Sequence, residues 1–464
     1  MRGLKEKESN DMENTIKHEM NMTEGGITWN IIKFVIPLAS ANVIQYLFNI
    51  VDMMIVGRFA GDYAMAAVGD TTYLSGFLLN AFMGLSVGVN VVAARYYAQK
   101  DADNLSKTVH TAVCLAVLCG LFLSILGVVF AKSLLVWMNT PVENHVRHMA
   151  IQYIQVYFLG APVILLYYFS SAILRAVGDT KRPLFFIILA GILNVLFNLL
   201  FVYKLELGVI GVALGTILAQ SVSCVCVIYC LVQERGPIHL DFKKLRMSCE
   251  KVKEIVRMGI PACIQQMIFS YANISMQTAV NSFGATVVAG NVAVAGLETM
   301  IYSMICAFQN AMITVAGQNT AVGKTFRVKR AMQICGLMAF IFGTVGGNLI
   351  VFFGKKILLL YTNSNAIIEV GLLRMKFILT FYGLSGASET IAGTIRGMGY
   401  SIVPTISAVF FVLLFRISWI HTVFAYVHTL PSLYLLMPCS FFAYMIGNYV
   451  IFTYLYKKDS IGHL

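Results

Sequence analysis

Charged side chains are scarce in this chain of 464 residues. Asp, Glu, Lys and Arg together make up 12% of it, whereas a soluble globular domain carries about 25%. Apolar residues make up 58%. This composition excludes a soluble globular enzyme, a disordered chain and a coiled coil. It indicates a protein whose main solvent is lipid.

Several enzyme motifs are also absent. The sequence contains no Gly-rich phosphate loop followed by lysine, no HExxH and no GxSxG. The ten cysteines lie mostly in apolar stretches, where free cysteine behaves as a small hydrophobic residue. We therefore expect a protein that is not an enzyme, with no disulfide framework, no metal site and no cofactor.

Long apolar stretches dominate the sequence. A transmembrane helix needs about 20 mostly apolar residues, and stretches of that order without Asp, Glu, Lys or Arg recur between residues 34 and 456. The stretch 258–297 is too long for one helix and is broken near Gly284, and Pro431 splits the last stretch. Counting these broken stretches as helix pairs predicts an all-α polytopic membrane protein with twelve transmembrane helices.

The sequence divides into two similar halves. Pro37 and Asn49 of the first half fall on Pro261 and Asn273 of the second at one constant offset. Each half has an even number of spans, so both enter the membrane in the same orientation. The pattern predicts two six-helix lobes related by a pseudo-twofold axis along the membrane normal, an architecture typical of transporters. Duplication also produces channels and membrane enzymes, which remain alternatives.

The distribution of basic residues predicts the orientation and the domain limits. Most Lys and Arg residues of the loops fall on one side of the spans, which places both termini in the cytoplasm. The predicted domains are a polar cytoplasmic tail 1–28, an N-terminal lobe 29–233, a cytoplasmic inter-lobe loop 234–257, a C-terminal lobe 258–456 and a cytoplasmic tail 457–464. The first tail has no apolar core of the signal-peptide type, and we expect it to be disordered.

Asp52 is the sharpest candidate for chemistry. Inserting an ionisable side chain at membrane depth costs at least about 2.5–3.5 kcal/mol of free energy. Each such residue therefore requires a functional or structural explanation. The charged form of a carboxylate is disfavoured in a poorly hydrated cavity, so Asp52 could take up a proton on one side and release it on the other. Pro37, earlier on the same span, removes a backbone hydrogen bond and permits a bend. The alternative is an interfacial carboxylate that only caps loop groups.

Two asparagines of the fifth span share one helix face. Asn194 and Asn198 are four residues apart, and buried amides require partners. A cation or a carboxylate would supply them, and so would ordinary hydrogen bonds between helices. Thr216 on the sixth span is a weaker candidate on its own.

The second half contains its own acids. Glu298 and Glu389 are candidates for a second ion or substrate site, with structural pairing as the alternative. Asp70 is close enough to a span end to be interfacial. We expect Arg416 to reach the interface or to pair with an acid.

Several short motifs carry a family resemblance in order along residues 28–456. They are Ile36-Pro37, Asn49 to Arg58 around Asp52, Ala66 to Gly69, Leu174 to Pro183, Gly208 to Thr216, Gly317-Gln318-Asn319 and Ile395 to Gly399. Together they resemble the multidrug and toxic compound extrusion (MATE) family. The resemblance implies a V-shaped antiporter of twelve helices that exports small cationic amphipathic compounds in exchange for protons or sodium.

The resemblance also assigns a coupling site. Asp52 matches the first-span Asp of the family's cation site, with Asn49 in the same motif, and Asn194, Asn198 and Thr216 resemble its fifth-span and sixth-span partners. Some members carry Asp where this chain has Asn198, and the missing charge could weaken sodium binding.

A second branch of the family uses a Glu of the seventh span and an Asp of the tenth. In the seventh span this chain has Gln265 and Gln266 instead, and in the tenth span it has Ser385 and Glu389. It therefore resembles the DinF-like branch more than the NorM-like branch, and we place coupling in the first half. Gln265, Glu298 and Glu389 remain candidates in the second lobe.

Two rival functions are a flippase for lipid-linked precursors of the same superfamily and a polytopic membrane enzyme. The flippase needs basic residues for phosphates, whereas the spans contain acids and, by our prediction, one well-buried arginine, Arg416, which favours cationic substrates. The enzyme would need clustered His, Asp or Glu, for which the loops are too short. We expect a monomer in the bacterial inner membrane, with the lipid bilayer and small cations as partners and no nucleic acid.

Overall fold

The computed structural model describes residues 20–137 and 144–462. All regular secondary structure in these two ranges is helical. Most of the predicted tail 1–28 therefore lies outside the described residues. Only its last part, from residue 20, has a described structure.

The first half of the chain contains six helical stretches. They are α1 Ile27–Phe59, α2 Asp62–Ala98, α3 Ala102–Trp137, α4 in two segments Asn144–Leu159 and Ala161–Ala176, α5 Lys181–Asn198 continued by a π-helix Leu199–Lys204, and α6 Gly208–Gln233. The two segments of α4 are bent by 47°, and the break falls at Gly160 with Pro162 just after it, where a proline supplies no backbone donor.

The second half contains six more. They are α7 Cys249–Asn281, α8 Ala285–Ala321, α9 Thr325–Leu358, α10 Asn365–Ile378 with Leu379–Phe381 and Tyr382–Gly397, α11 Ile402–Val427, and α12 Leu430–Gly462. Eight helices of the described chain are long and apolar enough to cross a membrane individually, or nine when the bent α4 counts as one span. The fold is all-α, with six helical stretches in each half of the described chain, twelve in all, as the sequence predicted.

The chain forms two compact units, and both α1 and α7 are divided between them. The first unit contains Val43–Cys263, and the second contains Met22–Asn42 and Ile264–Leu464. The first part of α7 thus packs with the first unit. Glycines of α2 permit this close approach, because a Cβ at Gly88 would lie 2.3 Å from the carbonyl oxygen of Ile255.

Two predicted boundaries differ from the structure. The predicted tail extended to residue 28, but α1 begins at Ile27, and Met22 before it is buried. The predicted loop extended to residue 257, but α7 begins at Cys249. Charge-free stretches mark only the apolar part of a helix, and these helices continue beyond it.

Candidate functional site

Asp52 of α1 lies in a cluster with three polar side chains of the first unit. The Nδ2 atom of Asn198 on α5 donates to Oδ1 of Asp52 at 2.7 Å. Asn194, one helical turn earlier, contacts both Asp52 and Thr216 of α6. The structure therefore brings Asp52, Asn194, Asn198 and Thr216 together, as the sequence predicted.

The amide of Asn194 has two alternative sets of partners. In one orientation its Nδ2 atom donates to Oγ1 of Thr216 at 3.3 Å, and the amide oxygen faces Asp52. In the other, its nitrogen lies 2.5 Å and 2.9 Å from the two carboxylate oxygens of Asp52. An ionised carboxylate can only accept hydrogen bonds, so ionised Asp52 requires the orientation in which the Asn194 nitrogen faces it. A protonated Asp52 can donate a hydrogen bond, so it fits the orientation in which the Asn194 oxygen faces it.

Asn198 brings a free acceptor into the same cluster. Its side chain is fully buried, and its Oδ1 atom has no hydrogen-bond partner among the described residues. A buried polar atom without a partner needs an explanation, such as a water or an ion. The carboxylate of Asp52 and the Oδ1 of Asn198 thus offer oxygen ligands of the kind that a hard cation takes.

The sequence of α5 and α6 explains how the cluster forms. Asn194 and Asn198 are one turn apart on the same face of α5, and α5 changes to a π-helix directly after Asn198. Gly215 of α6 lies against Asn198, because a Cβ there would lie 2.2 Å from Oδ1 of that side chain. The glycine therefore leaves the space that the Asn198 amide occupies. Sequence analysis missed this role of Gly215, although the Gly208 to Thr216 motif contained it.

Two other predicted residues of α1 lie apart from the cluster. Asn49 is exposed, and no hydrogen bond described in the structure joins it to Asp52. Pro37 lies inside the continuous helix α1. It belongs to the part of α1 that packs with the second unit, whereas Asp52 belongs to the first unit.

Glu298 of α8 forms a buried ion pair with Arg374 of α10. The Nε and Nη2 atoms of Arg374 donate to the two carboxylate oxygens at 2.7 and 2.8 Å. Its Nη1 atom donates to Asn291, whose Nδ2 atom donates to the hydroxyl of Tyr434 at 2.8 Å. Both oxygens of Glu298 are therefore occupied, which corresponds to the structural alternative considered from the sequence rather than to an open ion site.

Glu389 and Gln265 lie in a second buried network. The Nε2 atom of Gln309 on α8 donates to Oε2 of Glu389 at 2.5 Å, and Arg396 is in electrostatic contact with the same carboxylate. Arg396 also donates to Oε1 of Gln265, whose Nε2 atom donates to the hydroxyl of Tyr444 at 3.1 Å. This network joins an acid to a base within the second unit, although the Nε atom of Arg396 has no hydrogen-bond partner among the described residues.

Arg416 of α11 is 1% exposed, so it does not reach the interface as expected. Its Nε atom donates to Oγ of Ser440 at 3.1 Å, and its Nη1 atom donates to Oδ1 of Asn273 at 2.9 Å. Its Cζ atom lies 5.9 Å from the centre of the Phe441 ring. Among the described residues no carboxylate lies within ion-pair distance of it, so the expected acidic partner is also absent there.

The prediction of a single well-buried arginine was wrong. The second unit buries three arginines, Arg374, Arg396 and Arg416, and two carboxylates, Glu298 and Glu389. From the sequence, Arg374 was placed within a span without being recognised as buried, and Arg396 was assigned to a cytoplasmic loop, whereas α10 is helical through both. The side chain of Asp70 lies outside the described part of the structure, and across that part no group of His, Cys, Asp and Glu could hold a metal ion.

Comparison with protein families gives a match over both halves of the chain. The profile of the MatE family matches residues 37–200 and 261–427. A curated relative from Bacillus subtilis (strain 168), "Probable multidrug resistance protein YoeA", is 26% identical over 384 residues, 81% of this chain and 82% of the relative. "Probable multidrug resistance protein NorM" of Thermotoga maritima is 24% identical over 81% of each chain.

Comparison with solved structures supports the fold. A transporter of the MOP superfamily from Pyrococcus furiosus, described as having a binding pocket of reverse polarity, is similar with a TM-score of 0.88. The two chains are 21% identical, and the match covers 95% of this chain and 98% of the other.

Proposed function

The chain belongs to the MatE family of multi-pass membrane transporters and is not an enzyme, and from this premise we propose that it exports small cationic amphipathic drugs in exchange for protons or sodium. The observation that carries the proposal is the Asp52 cluster. A carboxylate in the last third of the apolar helix α1 is held by two amides, one of which has a buried oxygen without a described partner. Such a group binds a cation and can exchange it for another.

The proton step follows from the two orientations of Asn194. When Asp52 is ionised, the amide nitrogens of Asn194 and Asn198 both face its oxygens, and the site attracts a cation. When Asp52 is protonated, its hydroxyl can donate to the Asn194 oxygen, and the amide nitrogen can turn to Thr216. Protonation therefore removes the charge that attracts a cationic drug and rearranges a contact between α1, α5 and α6.

Sodium can occupy the same cluster. Na⁺ is a hard cation that takes oxygen ligands, and the cluster contains the carboxylate of Asp52, the unpartnered Oδ1 of Asn198 and the hydroxyl of Thr216. The only charged ligand among these is Asp52, so sodium would be held less strongly than in a site with two carboxylates. Protons are therefore the favoured coupling ion.

In this proposal the protein resides in a bacterial inner membrane with both termini in the cytoplasm. The excess of Lys and Arg in the loops on one side supports that orientation. Alternating access would expose Asp52 to the outside, where it takes up a proton as the drug leaves, and then to the cytoplasm, where it releases the proton and the next drug binds.

The test is ethidium efflux from proteoliposomes that contain the purified protein, under an imposed pH gradient or an imposed sodium gradient. We expect efflux driven by the pH gradient and little driven by sodium alone. Liposomes without protein are the control for passive leakage. Absence of efflux under both gradients would contradict drug export and would favour the flippase alternative.

The variant Asn198→Asp tests the choice of ion. It places a second carboxylate beside Asp52 at the position where the buried amide lies. We expect sodium-driven efflux to rise relative to wild type, because two carboxylates hold Na⁺ more strongly than one. Unchanged sodium dependence in this variant would contradict the assignment of the ion to this cluster.

A further inference from the structure

A second polar cluster occupies the corresponding helices of the second unit. The Asp52 cluster uses α1, α5 and α6, and the Arg416 cluster uses α7, α11 and α12 through Asn273, Arg416 and Ser440. Each helix of the second set lies six helices after its counterpart in the first. Asn273 is also the residue that aligns with Asn49 in the internal repeat. The repeated architecture therefore places a carboxylate in one unit and a guanidinium in the other.

The charge balance leaves Arg416 without a carboxylate of its own, because Glu298, whose charge also acts on Arg416 at longer range, is hydrogen-bonded to Arg374. Of the two buried carboxylates described in the second unit, Glu298 binds Arg374 through both oxygens and Glu389 is neighboured by Arg396. The described partners of Arg416 are the hydroxyl of Ser440 and the amide oxygen of Asn273, both neutral. A positive charge in the middle of an apolar helix is costly and marks a functional site unless another group neutralises it.

The geometry around Arg416 suits a ligand that carries negative charge. No described hydrogen bond uses its Nη2 atom, so one edge of the planar guanidinium remains available for an acceptor. Asn273, which holds Nη1, is exposed, so the guanidinium lies just beneath the surface of the unit. Phe441 lies beside the guanidinium, and its ring packs edge-on against that of Tyr382 at 5.8 Å. Both rings are buried, which keeps water from that side of the guanidinium and strengthens a charge-assisted hydrogen bond that it donates.

We propose that Arg416, oriented by Ser440 and Asn273, binds an anionic group, a carboxylate or a phosphate, of an amphipathic ligand. This inference adds a substrate feature to the proposed drug export. It rests on that proposed function only in taking the ligand to be an exported compound. It extends the substrates from simple cations to amphipathic compounds that carry an anionic group as well.

A matched pair of fluorescent probes tests the site. Tetramethylrhodamine with a free carboxylate and its methyl ester differ by one methyl group and by the negative charge that this group removes. Binding of each to the purified full-length protein in detergent is measured by fluorescence polarisation. We expect wild type to bind the carboxylate form about tenfold more tightly than the ester, as a hydrogen bond to a charged group predicts.

Two variants establish whether Arg416 is responsible. Arg416→Gln should remove the preference for the carboxylate, and Arg416→Lys should restore part of it. Asn273→Asp provides an independent test because Asn273 is exposed and already contacts the guanidinium. The new carboxylate should occupy Arg416 and abolish the preference, with an unshifted size-exclusion profile of the full-length protein as evidence of folding.

The outcomes separate this inference from the proposed export. The polarisation measurement needs no ion gradient, so a protein that binds the probes but fails to export ethidium would contradict the export and leave the site standing. Equal binding of both probes by wild type, or a preference that survives in Asn273→Asp, would overturn the site.

Competition distinguishes the source of the anion. Displacement of the carboxylate probe by phosphatidylglycerol and not by phosphatidylcholine would support the site and identify lipid headgroups as ligands. If neither lipid displaces the carboxylate probe, the result would support the anion site and identify soluble amphipathic compounds as its ligands.

Discussion

At the scale of single residues, the Asp52 site depends on one glycine, Gly215, through the space that its missing side chain leaves. Gly215 faces the amide of Asn198, and a Cβ at that position would lie 2.2 Å from its Oδ1 atom. The side chain of Asn198 is fully buried and has little room to move. A methyl group at position 215 must therefore displace the amide that donates to Asp52.

We expect Gly215→Ala to fold and to lower ethidium efflux about tenfold, the effect of losing a hydrogen bond to a charged group. Proteoliposome efflux measures it. The matched control is Gly336→Ala in α9, where nothing lies within 4 Å of the added Cβ, and this variant should transport as wild type does. Wild-type efflux in Gly215→Ala would contradict the role of Asn198.

The buried pair of Glu298 and Arg374 should stabilise the second unit rather than carry ions. Arg374→Gln leaves a buried carboxylate without its partner, which costs about 3–5 kcal/mol. We expect a marked fall in the apparent melting temperature of the detergent-solubilised protein. The double variant with Glu298→Gln should recover part of the loss, because no isolated charge remains. If the double variant were less stable than either single variant, the pairing would not explain the stability.

The sequence predicted the residues of the first site better than those of the second. Asp52, Asn194 and Asn198 stand out as a lone acid and two amides at helical spacing in apolar spans, whereas their grouping with each other and with Thr216 came from the family resemblance. The partner of Glu298 lies 76 residues along the chain, and no local pattern identifies it. Arg416 was visible in the sequence, but its neutral partners depend on the packing of three helices.

At the scale of elements, α1 is a continuous helix with a proline inside it. Pro37 cannot donate a backbone hydrogen bond and permits a bend. The number of helices was predicted correctly because apolar length determines it. The break in α4 and the π-helical segments of α5 and α11 were not predicted, because composition shows where a span lies and not the backbone geometry within it.

We expect Pro37→Ala to slow efflux several-fold and to leave equilibrium binding of ethidium unchanged. The added backbone donor stiffens α1, and conformational steps rather than binding depend on that flexibility. Pro438→Ala in α12 is the matched control, because it removes another proline from inside a transmembrane helix. Equal effects of the two variants would show that Pro37 has no special role as a hinge.

At the scale of the whole molecule, the second unit binds a segment from the beginning of the chain. The backbone amide of Met22 donates to Gln318, and Arg327 donates to the carbonyl oxygens of Met22, Glu24 and Gly25. Met22 is 1% exposed. From the sequence we expected this segment to be part of a disordered tail. These contacts use backbone atoms of the segment, so no side-chain pattern reveals them.

We expect Met22→Asp to lower the apparent melting temperature in detergent by several degrees, since it buries a charge without a partner. Glu24→Ala should have little effect, because Glu24 contributes its backbone oxygen and its side chain is exposed. Equal stability of the two variants would mean that the segment does not contribute to the folded second unit.

The central claim is that a proton on Asp52 drives export. Its most direct test is ethidium efflux from proteoliposomes under an imposed pH gradient, with wild type, Asp52→Asn and the control Asp459→Asn side by side. Asparagine cannot take up or release a proton. We predict efflux by wild type and Asp459→Asn and none above leakage by Asp52→Asn, with all three equally folded. Efflux by Asp52→Asn at the wild-type rate would contradict the account.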